Sequence, residues 1–288
     1  MNSQSSSVSV ILPNYNYGRY LESRLSSILF QTYPISELII LDDASTDNSV
    51  KKIESRILKI KKDFPNLKVK FIKNEKNSGK AILQWQKGFE LATGDYIWIA
   101  EADDLSDKKF LEEVLKPFKK DPEVVLSYTE SKIINRFGLM LAPNFRFSRD
   151  KEKTGHYKNS YIKDGKQEIE EIMAIRCSIP NVSAVVFRNS PKIPYSKYLA
   201  EASAFSQVGD WYFYSKILEH GKISYNKKSL NKFRVHKNSK TANSKKDKKH
   251  YQEIIELHKL FNQNYKLNET VKQSMKAEEE RLASKNML

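Results

Sequence analysis

The chain has 288 residues, and its 50 Lys and Arg residues against 35 Asp and Glu residues give a net charge of +15. No apolar run approaches the roughly 18 residues that span a bilayer, and a single cysteine, Cys177, excludes an internal disulfide or a cysteine-built zinc site. The polar start of the chain lacks a signal-peptide pattern, so the sequence predicts a cytoplasmic protein. The charge favours a phosphorylated ligand or an anionic membrane surface. No nucleic acid is expected as a partner, because no nucleic-acid-binding motif is present.

Strands and helices alternate over the first third of the chain. Apolar runs predict strands, and apolar residues spaced by three or four predict helices. The predicted elements are a strand at 8–12, a helix at 20–31, a strand at 38–41, a helix at 48–62, a strand at 69–72, a helix at 80–92 and a strand at 96–100. This alternation is typical of an α/β fold with a mostly parallel, Rossmann-like sheet and helices on both faces.

The rest of the chain is less regular. It predicts helices at 110–118 and 210–219, strands at 124–128, 183–187, 222–225 and 230–235, and a mobile loop at 135–166, where turn formers are frequent. Ten Lys or Arg residues and one acid lie between Lys227 and Lys249, a pattern that is attracted to anionic lipid. From Tyr251 an amphipathic helix follows, and its apolar stripe suggests a homo-oligomer or a membrane contact.

Carboxylates cluster directly after two of the predicted strands. Glu101, Asp103 and Asp104 follow one of them, and Asp42 and Asp43 follow another. Open α/β sheets bind ligands at the carboxyl ends of their strands. Clustered carboxylates repel one another unless a positive group joins them, and hard divalent cations prefer oxygen ligands. The pattern therefore predicts a site for a hard divalent cation that could in turn hold a diphosphate, although acids at such positions also serve as ordinary helix caps.

Two later segments carry polar groups that are open to alternative interpretations. Asp210 begins an aromatic helix, where it is either an N-cap or a general base at the rim of a pocket. Arg234 and His236 follow an apolar strand and form either a surface basic pair or a contact with phosphate or metal. Glycine-rich phosphate loops are absent, which excludes a Rossmann dehydrogenase and a P-loop enzyme.

Taken together, the ordered segments resemble the family 2 glycosyltransferases, which have the GT-A fold. The resemblance covers residues 8 to 240. It is carried by VSVILPNYN at 8–16, SILFQTY at 27–33, ELIILDDASTD at 37–47, GDYIWIAEADD at 94–104, Gly209-Asp210, and FRVHKNS at 233–239. Each segment is weak evidence alone, whereas the ordered set is specific.

The resemblance implies an inverting transferase of the bacterial cell-surface polysaccharide type. Its donor would be a nucleotide diphosphate sugar, UDP- or dTDP-linked, and its acceptor a hydroxyl of a glycan or of a lipid-linked molecule. It implies that Asp103 and His236 bind Mn²⁺ or Mg²⁺ and that Asp210 is the general base. The implied nucleotide-sugar contacts are Pro13, Tyr15, Asp43, Lys80, Glu101, Asp104 and Arg234. Glu101 stands where the family usually has the first Asp of its Asp-x-Asp motif.

We expect a GT-A domain over 1–240, with a nucleotide-binding half at about 8–104 and an acceptor-binding half at about 105–240. A basic segment and a C-terminal helical extension at 241–288 follow. Two alternatives are a nucleotidyltransferase with an acidic metal site and a non-catalytic basic protein that binds membranes or nucleic acid. The first normally has a Gly-rich triphosphate loop, which the segment from Pro13 to Tyr20 lacks. Asp43, Asp103 and Asp210 argue against the second.

Overall fold

One mixed sheet organises the part of the chain that the computed structural model describes, residues 6–145, 155–237 and 248–286. Its main path runs β3-β2-β1-β4-β9-β6-β10-β5, with β7 paired to β6 and β8 paired to β10. The strands are β1 (Val8–Asn14), β2 (Glu37–Asp42), β3 (Lys68–Lys73), β4 (Tyr96–Ile99), β5 (Leu105–Ser106), β6 (Val124–Ile134), β7 (Met140–Ala142), β8 (Tyr161–Asp164), β9 (Val185–Arg188) and β10 (Lys222–Arg234).

Helices cover both faces of this sheet, which confirms the predicted α/β class. They are α1 (Leu21–Leu29), α2 (Ser49–Asp63), α3 (Ala81–Leu91), α4 (Phe110–Val114), α5 (Lys116–Lys120), α6 (Gly165–Glu168), α7 (Tyr195–Ala202), α8 (Gly209–Leu218), α9 (Lys248–Asn264) and α10 (Glu269–Asn286). A π-helical turn at Ile169–Met173 continues α6, and a 3₁₀ turn at Val182–Ala184 precedes β9.

Parallel pairing is concentrated in the first half of the sheet. β1 lies between β2 and β4 and is parallel to both, and every residue of β1 and β2 is buried. Their continuous apolar sequences follow from this burial on both faces. β9 runs antiparallel to β4 and β6, so the sheet is mixed. Because Asn14 pairs with Asp42 in the register of β1 and β2, the polar ends of these strands lie side by side.

The two faces of the sheet bury separate apolar clusters. Successive side chains of a strand point to opposite faces. Val10 of β1 therefore packs with Leu25 of α1, whereas its neighbour Ile11 packs with Trp85 of α3. The second cluster extends to the C-terminal helices, where Leu257 and Phe261 of α9 are buried.

Three features differ from the sequence prediction. The mobile loop predicted for 135–166 is wrong at both ends, because β7 and β8 lie within it. The two short strands predicted at 222–225 and 230–235 are one strand, β10, whose register with β6 shifts between Asn226 and Ser229. The C-terminal extension is two helices, and the apolar stripe of α9 packs on the chain's own core. That stripe is therefore unavailable for the expected self-association.

Much of the predicted basic segment, including the expected domain boundary at 240 and 241, falls outside the described residues. Within the described ranges, no helix combines the length and the apolar character that crossing a bilayer requires.

Candidate active site

The end of β2 is held by hydrogen bonds within the chain. The Asp42 carboxylate is fully buried and accepts from Asn14 Nδ2 at 2.7 Å, from the Ser45 backbone N–H at 2.9 Å and from Ser45 Oγ at 2.7 Å. Ala44 has a φ of 61°, in the left-handed region that costs a residue with a Cβ roughly 1–2 kcal/mol. This strained backbone turns the chain sharply at Asp43, so the loop geometry is tightly specified.

Asp43 organises the loop that leads into α3. Its carboxylate accepts from Asn74 Nδ2 at 2.7 Å, from Ser78 Oγ at 2.7 Å, from the Ser78 backbone N–H at 3.0 Å and from Gln84 Nε2 at 2.9 Å. Asp43 is 5% exposed. Its hydrogen bonds thus go largely to the protein itself, and its contact with a nucleobase stays a prediction.

The end of β4 is organised differently. Asp104 is buried and accepts from the Arg234 backbone N–H at 2.9 Å, and Glu101 accepts from Trp85 Nε1 at 2.7 Å. Burial first, and then the neighbouring Asp103, raises the pKa of Glu101 to about 8. Burial and Asp103 also raise the pKa of Asp104 well above its usual range. Without a bound cation, these carboxyl groups therefore hold protons at a pH where an exposed carboxylate is charged.

The end of β10 brings two predicted basic residues to this cluster. His236 Nε2 lies 2.9 Å from Asp103 Oδ2. Arg234 is buried, and its Nε donates to the Asp103 carbonyl oxygen at 2.6 Å. The rings of Tyr17 and Tyr20 lie against the His236 ring, with centroids 5.5 Å and 5.7 Å away. The acids after β4 and the basic groups after β10 therefore form one site, although about 130 residues separate them in sequence.

A buried arginine of α1 also faces this cluster, and sequence reasoning missed it. Arg24 is fully buried, donates to Ser106 Oγ at 3.0 Å and lies over the Trp98 ring at 5.1 Å. Its Nε and Nη2 atoms have no hydrogen-bond partner within the described residues. Burial lowers its pKa to about 10, while Asp104, Asp103 and Glu101 act in the opposite direction. Arg24 is thus a fixed positive charge behind the carboxylates.

The donor set at Asp103 and His236 fits a divalent cation. Two ligands at about 2.1 Å from an ion and at right angles to each other are about 3 Å apart. The observed separation of Asp103 Oδ2 and His236 Nε2 is 2.9 Å. No group of three His, Cys, Asp or Glu side chains suited to a metal occurs among residues 6–145, 155–237 and 248–286. An ion held here would therefore take its remaining ligands from water and a bound diphosphate.

Asp210 lies at the start of α8, on the other side of the cluster. Its Oδ1 accepts the Trp211 backbone N–H at 2.8 Å. The N-cap of α8 is Val208, and Asp210 is the second residue of the helix, so the N-cap alternative for Asp210 is wrong. A Cβ on the preceding residue, Gly209, would lie 2.6 Å from the Ala202 carbonyl oxygen, so only glycine allows this close packing of α8 on α7. The buried Tyr214 hydroxyl has no hydrogen-bond partner among the described residues. Burial raises the pKa of Tyr214 most, and the charges of Asp210 and Glu101 raise it further. Asp210 therefore lies within electrostatic range of the same region as Glu101.

The turn before α8 is hydrogen-bonded to α9. The Glu253 carboxylate of α9 accepts the backbone N–H groups of Ser206 at 2.8 Å, Gln207 at 2.7 Å and Val208 at 3.3 Å, and Ser206 Oγ at 2.7 Å. These hydrogen bonds lower the pKa of Glu253. The position of Asp210 thus depends on α9 as well as on its own helix.

The remaining predicted contacts lie at varied depths. Pro13 is buried within β1, and Tyr15 is 44% exposed beyond the strand end. Lys80 precedes α3, and its Nζ donates to the Ser203 carbonyl oxygen at 2.6 Å. Lys80 therefore ties the loop after α7 to α3 here, and its role at a nucleotide stays a prediction.

Comparison with protein families identifies the class of protein that this fold and site define. The model described as Glycosyl transferase family 2 matches residues 9–176, which is more than half of the chain. The chain therefore belongs to glycosyl transferase family 2, and the resemblance expected from its motifs is confirmed.

Individual relatives share part of this chain. Glycosyltransferase GlyG of Streptococcus pneumoniae serotype 4 is 33% identical over 129 residues, covering 43% of this chain and 40% of GlyG. The poly(ribitol-phosphate) beta-N-acetylglucosaminyltransferase TarP of Staphylococcus aureus is 36% identical over 109 residues, covering 37% of this chain and 31% of TarP. The matched region thus spans less than half the length of these relatives.

Solved structures match nearly the whole chain. Staphylococcus aureus TarS in complex with UDP-GlcNAc has a TM-score of 0.62 at 18% identity, covering 98% of this chain and 71% of that one. The mannosyltransferase PcManGT of Pyrobaculum calidifontis, in complex with GDP-Man and Mn²⁺, has a TM-score of 0.62 at 17% identity, covering 97% and 70%. At these identities the similarity shows the fold, which is that of the GT-A glycosyltransferases.

Proposed function

We propose that this chain transfers a sugar from a nucleotide diphosphate sugar, UDP- or dTDP-linked, to a hydroxyl of a glycan or of a lipid-linked acceptor. The observation that carries the proposal is the carboxylate cluster after β4. Burial raises the pKa of Glu101 in this cluster to about 8, and the spacing of Asp103 and His236 would suit a divalent cation. The complexes of TarS with UDP-GlcNAc and of PcManGT with GDP-Man and Mn²⁺ support the donor class.

Asp103 and His236 would hold the divalent cation, Mn²⁺ or Mg²⁺. When bound, the ion neutralises the charge that develops on the nucleoside diphosphate leaving group. Arg234 fixes the Asp103 backbone, and Trp85 fixes the Glu101 side chain beside it. These contacts would keep the acidic groups oriented toward the diphosphate and the sugar.

Asp210 would act as the general base. The acceptor oxygen attacks the anomeric carbon, the bond from that carbon to the diphosphate oxygen breaks, and the hydroxyl proton passes to the Asp210 carboxylate. A single displacement inverts the anomeric configuration and needs one base, whereas a glycoside hydrolase needs two carboxyl groups around the bond. The electrostatic influence of both Asp210 and Glu101 on Tyr214 supports a base that lies near the donor.

We also infer peripheral contact with an anionic membrane leaflet on its cytoplasmic side. The ten Lys or Arg residues and one acid between Lys227 and Lys249 support it, because such segments gain about 1 kcal/mol per basic residue near anionic lipid. Residues 238–247 of this run lie outside the described part of the chain.

Calorimetry of nucleoside diphosphate binding tests the proposed function. UDP, dTDP and GDP are titrated with Mn²⁺ and with EDTA into the wild type, Asp103→Ala and Asp63→Ala, a control on an exposed aspartate at the end of α2. We expect one nucleotide to bind the wild type and the control at least about tenfold more tightly with Mn²⁺ than with EDTA, and Asp103→Ala to lose that gain. Equal affinities under all conditions would exclude the metal assignment.

A further inference from the structure

The hairpin between β6 and β7 has a well-defined turn. The Asn135 backbone N–H donates to the Leu139 carbonyl oxygen at 2.8 Å, and the Gly138 N–H donates to the Asn135 carbonyl oxygen at 3.0 Å. Asn135 Oδ1 accepts the N–H groups of Phe137 and Leu139 at 2.9 Å and 3.0 Å. Gly138 has a φ of 88°, which glycine adopts without steric cost. The side chains of this turn are therefore presented by a fixed backbone.

This fixed turn exposes four large apolar side chains, which we call the apolar tip. They are Phe137 at 72%, Leu139 at 65%, Met140 at 63% and Leu141 at 60% exposure. Single exposed apolar residues are common on protein surfaces and need no explanation, whereas a contiguous group marks an interaction surface. The apolar tip falls in the second class because its members lie within five consecutive residues.

Basic residues lie on the segment that carries the apolar tip and on the strand that pairs with it. Arg136 lies over the Phe137 ring, with its Cζ atom 4.4 Å from the centroid. β10 pairs with β6 beside the tip, and neither the segment 131–145 nor the segment 227–237 contains an Asp or Glu residue. Their Lys and Arg residues other than the buried Arg234 are Lys132, Arg136, Lys227, Lys228, Lys232 and Lys237, of which Lys228 pairs with Glu113. A second copy of this +15 chain would bring the same charge and be repelled, whereas an anionic bilayer matches both the apolar and the basic parts.

The apolar tip is connected directly to the carboxylate cluster. Arg234 Nη1 donates to the Asn135 carbonyl oxygen at 3.0 Å, while the Nε and backbone N–H of the same residue hold Asp103 and Asp104. A Cβ on Gly138 would lie 3.8 Å from Arg234 Nη1. One arginine therefore joins the base of the hairpin to the donor side of the site.

We propose that the apolar tip inserts into the interfacial region of an anionic bilayer while the basic side chains of the same two segments bind lipid head groups. Insertion brings the carboxylate cluster to the membrane surface, where a lipid-linked acceptor presents its hydroxyl. The proposed lipid contact is inferred from the exposed residues alone. Only the statement about a lipid-linked acceptor depends on the proposed function.

Vesicle co-sedimentation of the full chain tests the insertion. The vesicles are phosphatidylcholine with and without phosphatidylglycerol. The test variant is Phe137→Ser/Leu141→Ser. The matched control is Phe30→Ser/Leu58→Ser, whose side chains are 63% and 72% exposed directly after α1 and on α2. We expect the wild type and the control to bind the anionic vesicles alike and the test variant to bind at least roughly tenfold less, because two inserted side chains are lost. Raising the salt from about 0.1 M to about 1 M should weaken the binding of all three.

Three results would overturn the proposal. The first is equal binding of the test variant and the wild type, and the second is no binding of the wild type to anionic vesicles. The third is a wild type that sediments as a dimer in solution and becomes monomeric in the test variant, because the tip would then be covered by a second copy. UDP calorimetry distinguishes failure of the membrane proposal from failure of the proposed function. The test variant should bind UDP like the wild type. The effect of Asp103→Ala on Mn²⁺-dependent UDP binding tests the proposed function alone.

Discussion

Acidic residues lie at the end of β2 and directly after β4, but the two groups have different surroundings. Asp42 and Asp43 receive hydrogen bonds from amides, hydroxyls and backbone N–H groups of the chain. After β4, burial and mutual repulsion raise the pKa values of Glu101 and Asp104, and Arg24 supplies a charge from behind. The first pair is therefore satisfied by hydrogen bonds within the chain, whereas the second group carries a mutual repulsion that a cation would relieve.

The largest expected effect falls outside both groups, at Asp210. Asp210→Asn keeps the shape and the hydrogen bond to the Trp211 N–H but removes the basicity. We expect turnover to fall about 100-fold or more, because a positioned base contributes that much. UDP affinity and melting temperature should change little, since neither acidic strand end is touched. Near wild-type turnover would show that the base lies elsewhere, and unfolding would show that Asp210 has a structural role at the start of α8.

The comparison predicts a large loss of stability when Asp43 is removed. Asp43→Ala leaves the donors of Asn74, Ser78 and Gln84 without their acceptor. Unpaired buried donors cost about 1–3 kcal/mol each, so we expect the free energy of unfolding in urea to drop by about 4 kcal/mol. Asp63→Ala, on an exposed aspartate, is the control. A drop no larger than that of the control would contradict the structural role.

Arg24 tests the charge balance of the second group. At about pH 9, Arg24→Met should lower the free energy of unfolding by about 3 kcal/mol, because it leaves buried carboxylates uncompensated. At about pH 6 the loss should be smaller, since Glu101, with a pKa of about 8, is then protonated. Arg24→Lys keeps the charge and should retain most of the stability. A loss independent of pH would mean that Arg24 acts by packing alone.

The smallest expected effect is that of Glu101→Gln, which should stabilise the protein, whereas Asp43→Ala should destabilise it. Burial raises the pKa of Glu101 from 4.5 to about 8, so the folded protein holds a proton that the unfolded chain releases between those values. Wild-type stability should therefore fall as pH rises through this window, and Glu101→Gln should not share that fall. With EDTA at about pH 8, we expect the melting temperature of the variant to be about 2 °C higher. A lower melting temperature would show that the two acidic ends are alike.

Local sequence patterns predict the first third of the fold well. The predicted strand at 8–12 and helix at 48–62 are observed as Val8–Asn14 and Ser49–Asp63, because continuous burial and helical spacing leave clear patterns. β10 is harder to predict since Asn226 to Ser229 interrupts its apolar pattern where the register with β6 shifts. The hairpin at 135–142 was missed because its apolar residues face solvent, so they show no alternation.

The sequence identifies the residues of the site but not which of them contact one another. Motifs identify Asp103 and His236 separately, but their contact depends on the pairing of distant strands, which no local pattern encodes. Arg24 did leave a signal: it lies three residues after Leu21 and four before Ile28, on the buried face of α1. A buried charge at such a position indicates an opposite charge nearby, and here Asp104, Asp103 and Glu101 lie within its electrostatic range.

The site depends on Glu253, which is synthesised after all the other residues that form it. Domains fold as they emerge from the ribosome, beginning with their N-terminal parts. Asp103, Asp210 and His236 all emerge before Glu253, so the donor strands can pair while the turn before α8 still lacks its acceptor. A nascent chain that stops short of α9 would therefore carry Asp103, Asp210 and His236 without the hydrogen bonds that hold the turn before Asp210. The proposed activity would begin only after α9 has been synthesised.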